Sequence, residues 1–288
     1  MRTMHAFGAV GMAVIVCAAG PVLGQGREEA GPRAAASAPA PIGRLPDGQP
    51  NVQGLWSAAA GGSLSLTNPI NPNAEFQEQL TGVEARQPSR IIDPPDGLVP
   101  YQPWAAARQT QQNHDYAWPT RPEHMDTQHR CLISGVPRLY YIIPQFKIIQ
   151  QPGSVVFVWD QYHAYRVIPL DGRPHVGPDV KLWMGDGRGR WEGNTLVVDT
   201  TNVKGQRLTY IGDFYSEKAH IVERFTFVDA ENMTYQATID DPAVFTRPWT
   251  LRVAERRRPD EEIWESACYE GAVDPDGFLL KAAPPQQR

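Results

Sequence analysis

From residue 131 onward, short apolar runs alternate with clusters of turn-forming residues. The runs are rich in β-branched and aromatic residues, and glycine, proline, aspartate or asparagine separates them. This pattern predicts short strands joined by tight connections. The predicted strands span residues 139–143, 146–149, 155–159, 165–168, 195–199, 220–228, 233–239, 249–256 and 263–269.

Consecutive strands with short connections are typical of an antiparallel meander. We therefore predict an all-β, mainly antiparallel fold. Closure of the meander into a β-barrel, similar to that of lipocalins and calycins, would remove the exposed strand edges. A two-sheet β-sandwich is the alternative architecture.

Side-chain alternation indicates which faces of two strands are buried. In 220–228, Glu223 shares one face with an isoleucine and two phenylalanines. In 249–256, Trp249, Leu251 and Val253 share a face. Successive side chains point to opposite sides of a strand. We therefore expect Glu223 to lie among apolar neighbours and the adjacent Arg224 to point the other way.

The chain before residue 131 has a different pattern. Residues 1–122 hold 15 of the 27 prolines, whereas residues 179–241 hold none. We predict that 45–130 is an extended, mostly irregular arm that packs on a barrel domain formed by 131–288. The arm is predicted to carry a short strand over 51–57 and one or two short helices, over 75–86 and 104–114.

The first 44 residues resemble an export signal followed by a linker. Basic residues precede a short apolar stretch over 6–19, and small residues lead up to Gln25. We predict a signal peptide over 1–24, a disordered linker over 25–44 and a periplasmic or secreted mature protein without a membrane span. The alternative is an uncleaved membrane anchor.

Cysteine usage is consistent with export. Removal of the signal would remove Cys17 and leave Cys131 and Cys268. In an oxidising compartment two cysteines predict one disulfide. The alternative is a pair of unrelated buried thiols.

Composition also limits the classes of ligand. The net charge of -5 lacks the basic footprint that nucleic-acid binding requires. No HExxH or CxxC spacing occurs, so we predict no metal site and no cofactor. A small molecule is the expected partner, and the residues alone leave the oligomeric state open.

The first group of candidate functional residues lies around the predicted hairpin that ends near residue 168. His163 and Arg166 fall on this hairpin and His175 follows it, with Asp160, Asp171 and Arg173 nearby. Histidine can exchange protons near neutral pH, and arginine can stabilise an oxyanion. The alternative is that these residues form turns and that Arg166 pairs with a strand carboxylate.

The second group surrounds a glycine-rich segment. Trp183 and Trp191 flank three glycines and Asp186, and Gly193 follows, an arrangement that could stack a ring and anchor its polar groups. We list Trp183 and Asp186 as ligand-binding candidates. The other ligand-binding candidates are His175, Tyr165, Arg247 and Trp249. The alternative places the tryptophans, and Trp191 in particular, in the core around a hairpin turn.

Glu223 and Arg224 form the third group. A carboxyl group that is buried among apolar side chains is a candidate general acid or base. The tentative catalytic set is therefore His163, Arg166, Glu223 and Arg224. The alternative is a structural Glu223 whose charge is balanced by an arginine or lysine from another strand.

Several motifs resemble one protein family. They read LWMGDGRGRWEGNTLVVDT at 182–200, DGRPH at 171–175, HIVERF at 220–225 and TRPWT at 246–250, between PNVQGLW at 50–56 and CYEG at 268–271. The chain is similar in these segments to a family of secreted or periplasmic bacterial proteins that are mostly called hypothetical. Tyr269 stands where that family commonly has histidine, and Gly187 stands where it often has serine. The resemblance implies export but transfers no reaction.

Three functions fit these features. The first is binding of a small, partly apolar molecule in a cavity of the barrel. The second is a cofactor-independent lyase, isomerase or hydrolase that uses histidine and glutamate as acid and base and arginine to hold an oxyanion. The third is a cell-envelope interaction module that uses the proline-rich arm.

Overall fold

Nine strands form an antiparallel, barrel-shaped sheet that is nearly closed, as the sequence predicted. The computed structural model describes residues 40–59, 65–67, 89–142, 145–162, 164–266 and 268. All of them belong to one compact unit, Pro39–Arg288. The predicted signal peptide, the linker up to residue 39 and the predicted helix over 75–86 lie outside the described residues.

The main sheet and a small separate ribbon contain twelve strands. In chain order these are β1 (Gly54–Ala58), β2 (Ile91–Asp93), β3 (Gln145–Gln151), β4 (Ser154–Trp159), β5 (Tyr165–Pro169), β6 (Asp186–Glu192), β7 (Thr195–Thr201), β8 (Gln206–Arg207), β9 (Phe214–Tyr215), β10 (His220–Phe227), β11 (Asn232–Asp240) and β12 (Trp249–Arg257). Strands β8 and β9 form the ribbon, and β2 pairs with β12 beside the nine-strand path.

One α-helix, α1 (Pro103–Ala117), occurs in the described part of the chain and overlaps the helix predicted over 104–114. Pro103 suits the first helical turn, where its missing N–H is not needed. Short 3-10 helices cover Pro122–His124, Thr127–Arg130 and Arg138–Tyr140. Among the described residues, no helix has the length and apolar character required to cross a membrane.

The strand order is β5-β4-β3-β1-β12-β11-β10-β7-β6. Strand β1 therefore lies between β3 and β12, and the predicted arm over 45–130 contributes to the sheet rather than only packing on it. Leu55, Trp56 and Ser57 are all buried, so both faces of β1 are covered. Insertion of β1 covers two strand edges that would otherwise be exposed.

The gap between the first and last strands is closed by side chains. Ile168 of β5 packs against β6 at Gly187 and Gly189, which have no side chain to occupy this space. A Cβ atom at Gly187 or Gly189 would lie 2.8 or 2.6 Å from Ile168. These glycines let β6 approach β5 closely, which explains why a glycine-rich segment, interpreted from sequence as a bulge, forms a strand.

The predicted strand alternation is confirmed in β10 and β12. Ile221, Glu223 and Phe225 are buried in β10, and the residues between them are partly exposed. In β12, the buried face that begins with Trp249 ends at Glu255. Two carboxyl groups therefore face the barrel interior.

Two predicted strands are wrong. The segment predicted over 139–143 contains part of the 3-10 helix Arg138–Tyr140, and Tyr140 is buried in an aromatic cluster. Its ring contacts five others, namely those of Phe146, Phe157, Trp159, Phe225 and Tyr235. The described part of 263–269 forms no strand, and Ser266 makes only an isolated bridge to Gln161.

The two ends of the described chain are tied to the barrel. Cys131 and Cys268 lie at disulfide distance, with an S–S separation of 2.07 Å, as predicted. At the other end, the N–H of Ala230 donates to the carbonyl of Ala40 at 2.9 Å. Arg44 donates to Asn194 at 2.8 Å, so the last residues of the predicted linker contact the barrel.

Candidate functional site

Arg166 and Glu223 form a bidentate ion pair inside the barrel. The guanidinium donates to the two carboxylate oxygens at 2.9 and 2.6 Å. Arg166 lies on the inner face of β5 and Glu223 on that of β10, and both are buried. This pairing corresponds to the structural alternative to catalysis for both residues.

Three hydroxyl groups complete this buried cluster. Thr200 and Tyr235 each donate to Glu223 at 2.9 Å, and Arg166 donates to Tyr140 at 3.3 Å. Each carboxylate oxygen therefore accepts two hydrogen bonds. Burial alone would lower the pKa of Arg166, but the Glu223 carboxylate and the Tyr140 hydroxyl raise it above its usual range. The cluster is a hydrogen-bonded polar network within an aromatic core, in which only the Nε atom of Arg166 lacks a hydrogen-bond partner among the described residues.

Arg224, the third tentative catalytic residue that the structure describes, does not join this network. Arg224 points to the outer face, where it pairs with Glu192 at 3.0 Å. His163 lies outside the described residues. Of the three tentative catalytic residues that the structure describes, it brings together Arg166 and Glu223.

His175 and Asp186 meet on the outside of the barrel. The Nδ1 atom of His175 lies 3.0 Å from Asp186, and its Nε2 atom lies 2.9 Å from Asp199. His220 contacts the other oxygen of Asp199 at 2.8 Å, and Arg188 contacts Asp186 at 2.5 Å. A protonated imidazole can donate to both carboxylates at once, whereas a neutral one satisfies a single carboxylate.

Two of these partners, Asp199 and His220, were absent from the sequence-based candidates. Burial would raise the pKa of Asp199, but hydrogen bonds from His220 and His175 hold it below its usual range. Asp199 belongs to the segment 182–200, which carries the longest family-like motif. Within the described residues, no group of three or more histidine, cysteine, aspartate or glutamate side chains is arranged to hold a metal ion.

Three ligand-binding candidates are separated from one another and from these clusters. Tyr165 is 68% exposed on the outer face of β5. Arg247 forms a surface ion pair with Asp93, with contacts of 2.7 and 2.6 Å. Trp249 is fully buried and packs edge-on against Phe245, with ring centroids 5.4 Å apart. The packing of Trp249 places it in the core.

Trp183 lines a groove beside the barrel with a volume of about 320 Å³. One wall is the face of α1 that carries Trp104, Arg108 and Gln112, which follow one another at intervals of four residues. The opposite side comes from the β8–β9 ribbon. The lining residues are Trp104, Arg108, Gln112, Thr127, Trp183, Gly205, Gln206, Arg207, Phe214, Tyr215 and Ser216.

Aromatic rings and cations alternate in this groove, which we call the aromatic groove. The rings of Trp104 and Phe214 lie 6.0 Å apart, and the Arg108 guanidinium lies 4.7 Å from the centre of Phe214. At the rim, the ammonium of Lys204 lies 4.4 Å from the centre of Trp183. Trp104 is half exposed, so an apolar surface remains open to a ligand.

Sequence reasoning found Trp183 but missed the rest of the aromatic groove. Trp104, Arg108 and Gln112 lie four residues apart in a predicted helix, so the sequence indicated that they share one helix face. It did not indicate that this face lies opposite the β8–β9 ribbon. Phe214 and Arg207 lie in short strands that were not predicted.

A second, more polar cavity lies at the end of the barrel where β1 and β12 meet. Its volume is about 490 Å³, and its lining includes Lys147, Arg257, Arg258, Glu261 and Glu262. Charges of both signs face this cavity, and it contains none of the candidates from sequence. The aromatic groove is therefore the better candidate for an apolar ligand.

Comparison of this chain with protein-family models, with curated proteins and with solved structures finds no match.

Proposed function

We propose that the protein binds a small, partly apolar molecule in the aromatic groove. The observation that carries this proposal is the set of aromatic walls formed by Trp104, Trp183 and Phe214 around a volume of about 320 Å³. Ligand sites are typically concave, mostly apolar and about 300–1,000 Å³ in volume. The proposed site lies beside the barrel, and it differs in this from the cavity within the barrel that was predicted from sequence.

The described interior gives less support to a ligand site. Arg166 and Glu223 neutralise each other's charge, and aromatic rings pack around Tyr140. Neither cavity reported above includes the buried ion pair in its lining. A ligand at that position would have to displace this ion pair and its hydrogen bonds, which would leave buried charges unpaired.

A screen of small aromatic compounds tests the proposal. Compounds that raise the melting temperature would be measured by isothermal titration calorimetry against the wild type, Trp183→Ala and Trp264→Ala. Trp264 is a matched control because it is exposed and lines neither reported cavity. We expect Trp183→Ala to weaken binding at least tenfold and Trp264→Ala to leave it unchanged. Equal affinity in all three proteins would overturn the proposal.

Cofactor-independent acid–base catalysis is a second candidate, supported by the outer cluster of His175, Asp186, Asp199 and His220. Two imidazoles that share one carboxylate provide groups that can gain and lose protons. A turnover screen with the wild type and His220→Gln tests this alternative. Turnover that His220→Gln retains in full would exclude a catalytic role for His220.

We also propose that the mature protein is exported to the periplasm or beyond. The signal-like residues 1–24 and the paired Cys131 and Cys268 support this proposal. Cell fractionation with mass spectrometry of the mature N-terminus tests it, and a cytoplasmic protein that retains residues 1–24 would contradict it.

A further inference from the structure

The charges in the aromatic groove are unbalanced, although the whole chain is acidic. Arg108 and Arg207 are among the eleven lining residues, and none of the eleven is aspartate or glutamate. Lys204 adds a third cation at the rim, next to Trp183. A groove with cations and no lining carboxylate favours an anionic ligand in a protein whose net charge is -5.

Neither arginine makes an ion pair with a carboxylate in the described part of the chain. The contact described for Arg108 is with the ring of Phe214. Arg207 makes two long hydrogen bonds, to the carbonyls of Glu123 at 3.3 Å and His124 at 3.5 Å. Burial lowers the pKa of Arg207, which indicates that its charged form is incompletely solvated.

The nearby carboxylates already have partners. Asp126 accepts two hydrogen bonds from Arg138, at 2.9 and 2.7 Å. Asp241 accepts hydrogen bonds from the backbone N–H and the hydroxyl of Ser216, at 2.7 and 3.1 Å. No carboxylate in the described part of the chain forms an ion pair with Arg108 or Arg207, and the charges of Asp126 and Asp115 offset only part of the effect of burial on the pKa of Arg207.

We propose that the ligand of the aromatic groove is a small aromatic carboxylate. Its flat apolar body stacks between the rings of Trp104, Trp183 and Phe214, and its carboxylate accepts hydrogen bonds from Arg108 or Arg207. Guanidinium groups suit this role because they present paired donors that match the geometry of a carboxylate. This inference rests on the proposed function of the groove and adds the charge of the ligand.

Two probes of the same shape separate the charge of the ligand from its apolar body. 2-Naphthoate carries a carboxylate, and 2-naphthamide carries a neutral amide on the same ring system. Isothermal titration calorimetry would measure both probes against the wild type, Arg108→Gln, Arg207→Gln and Arg252→Gln. Arg252 is the control because it lies exposed on the outer face of β12, outside the groove.

We expect the wild type to bind 2-naphthoate about ten- to a hundredfold more tightly than 2-naphthamide, the range expected for a charge-assisted hydrogen bond. Arg108→Gln or Arg207→Gln should remove most of this preference and leave the affinity for 2-naphthamide nearly unchanged. Arg252→Gln should keep the preference.

The failures of the two proposals are distinguishable. Equal affinity of the wild type for both probes would overturn the proposed carboxylate and leave the apolar site standing. A preference for 2-naphthoate that both groove variants retain would also overturn the arginine assignment. Absence of binding of either probe at millimolar concentration would overturn both the carboxylate inference and the site.

Discussion

Replacement of Glu255 by glutamine should change how the stability of the protein depends on pH. Glu255 is 1% exposed on the inner face of β12, and neither carboxylate oxygen has a hydrogen-bond partner among the residues that the structure describes. Its pairing neighbours, Ala58 on β1 and Met233 on β11, carry no charge. Burial raises the pKa of Glu255 well above its usual range, and the charge of Arg90 offsets only part of this effect.

The sign of the effect follows from proton linkage. A carboxyl group with a raised pKa in the folded state binds its proton more tightly when folded than when unfolded. The free energy of unfolding therefore falls as pH rises from the unfolded pKa towards the folded pKa, by about 1.4 kcal/mol per pH unit. The loss continues at this slope until the pH reaches the folded pKa of Glu255.

Urea unfolding at pH 5, 6 and 7 measures this contribution. Glu255→Gln removes the titrating group, and the cost of burying its amide is the same at each pH. We expect the stability of Glu255→Gln relative to wild type to rise with pH above pH 5, with a slope of about 1.4 kcal/mol per pH unit. Glu217→Gln, at an exposed position, should show no such trend. A constant difference between Glu255→Gln and wild type across this range would refute the reasoning.

Three further changes test the packing of the barrel by urea unfolding. Glu223→Gln should destabilise by about 3–5 kcal/mol because it leaves the buried Arg166 without its counter-charge, and a loss below 1 kcal/mol would argue against the buried pair. Gly189→Ala should cost about 1–3 kcal/mol by overpacking against β5, whereas Gly177→Ala, where nothing lies within 4 Å, should cost far less. Cys131→Ser should cost about 4–5 kcal/mol by removing the cross-link, and a stability equal to wild type under oxidising conditions would contradict the bridge.

The parts of the fold that were predictable are those with one buried face. Strand β10 alternates strictly, so the position of Glu223 among apolar side chains followed from side-chain parity. The segment that includes Tyr140 is apolar on all sides, and a short run of this kind fits a buried strand or a buried helical turn equally well. The aromatic rings around Tyr140 come from distant strands, so its local sequence lacked the information that decides its conformation.

Long-range pairing explains most of the remaining differences. Strand β1 pairs with β12 through contacts such as Trp56 with Arg257, about two hundred residues apart in the chain. Strand β6 was missed because glycine has a low β propensity, and its glycines serve close approach rather than a turn.

The candidate site was predictable only in part, for the same reason. Arg166 and Glu223 were each singled out from sequence, but their mutual contact spans 57 positions. Trp183 was identified as a stacking residue, whereas Arg108 and Phe214 acquire their roles only when α1 packs beside the β8–β9 ribbon. The residues that carry chemistry were therefore easier to find than their partners.

A crystal structure of the protein with 2-naphthoate tests the central claim most directly. We expect the ring system to lie in the aromatic groove, in contact with Trp183 and Phe214. Its carboxylate should lie within hydrogen-bond distance, about 3.2 Å, of a guanidinium nitrogen of Arg108 or Arg207. A naphthoate that binds inside the barrel or at the polar cavity near Arg258, with the aromatic groove left empty, would contradict the account.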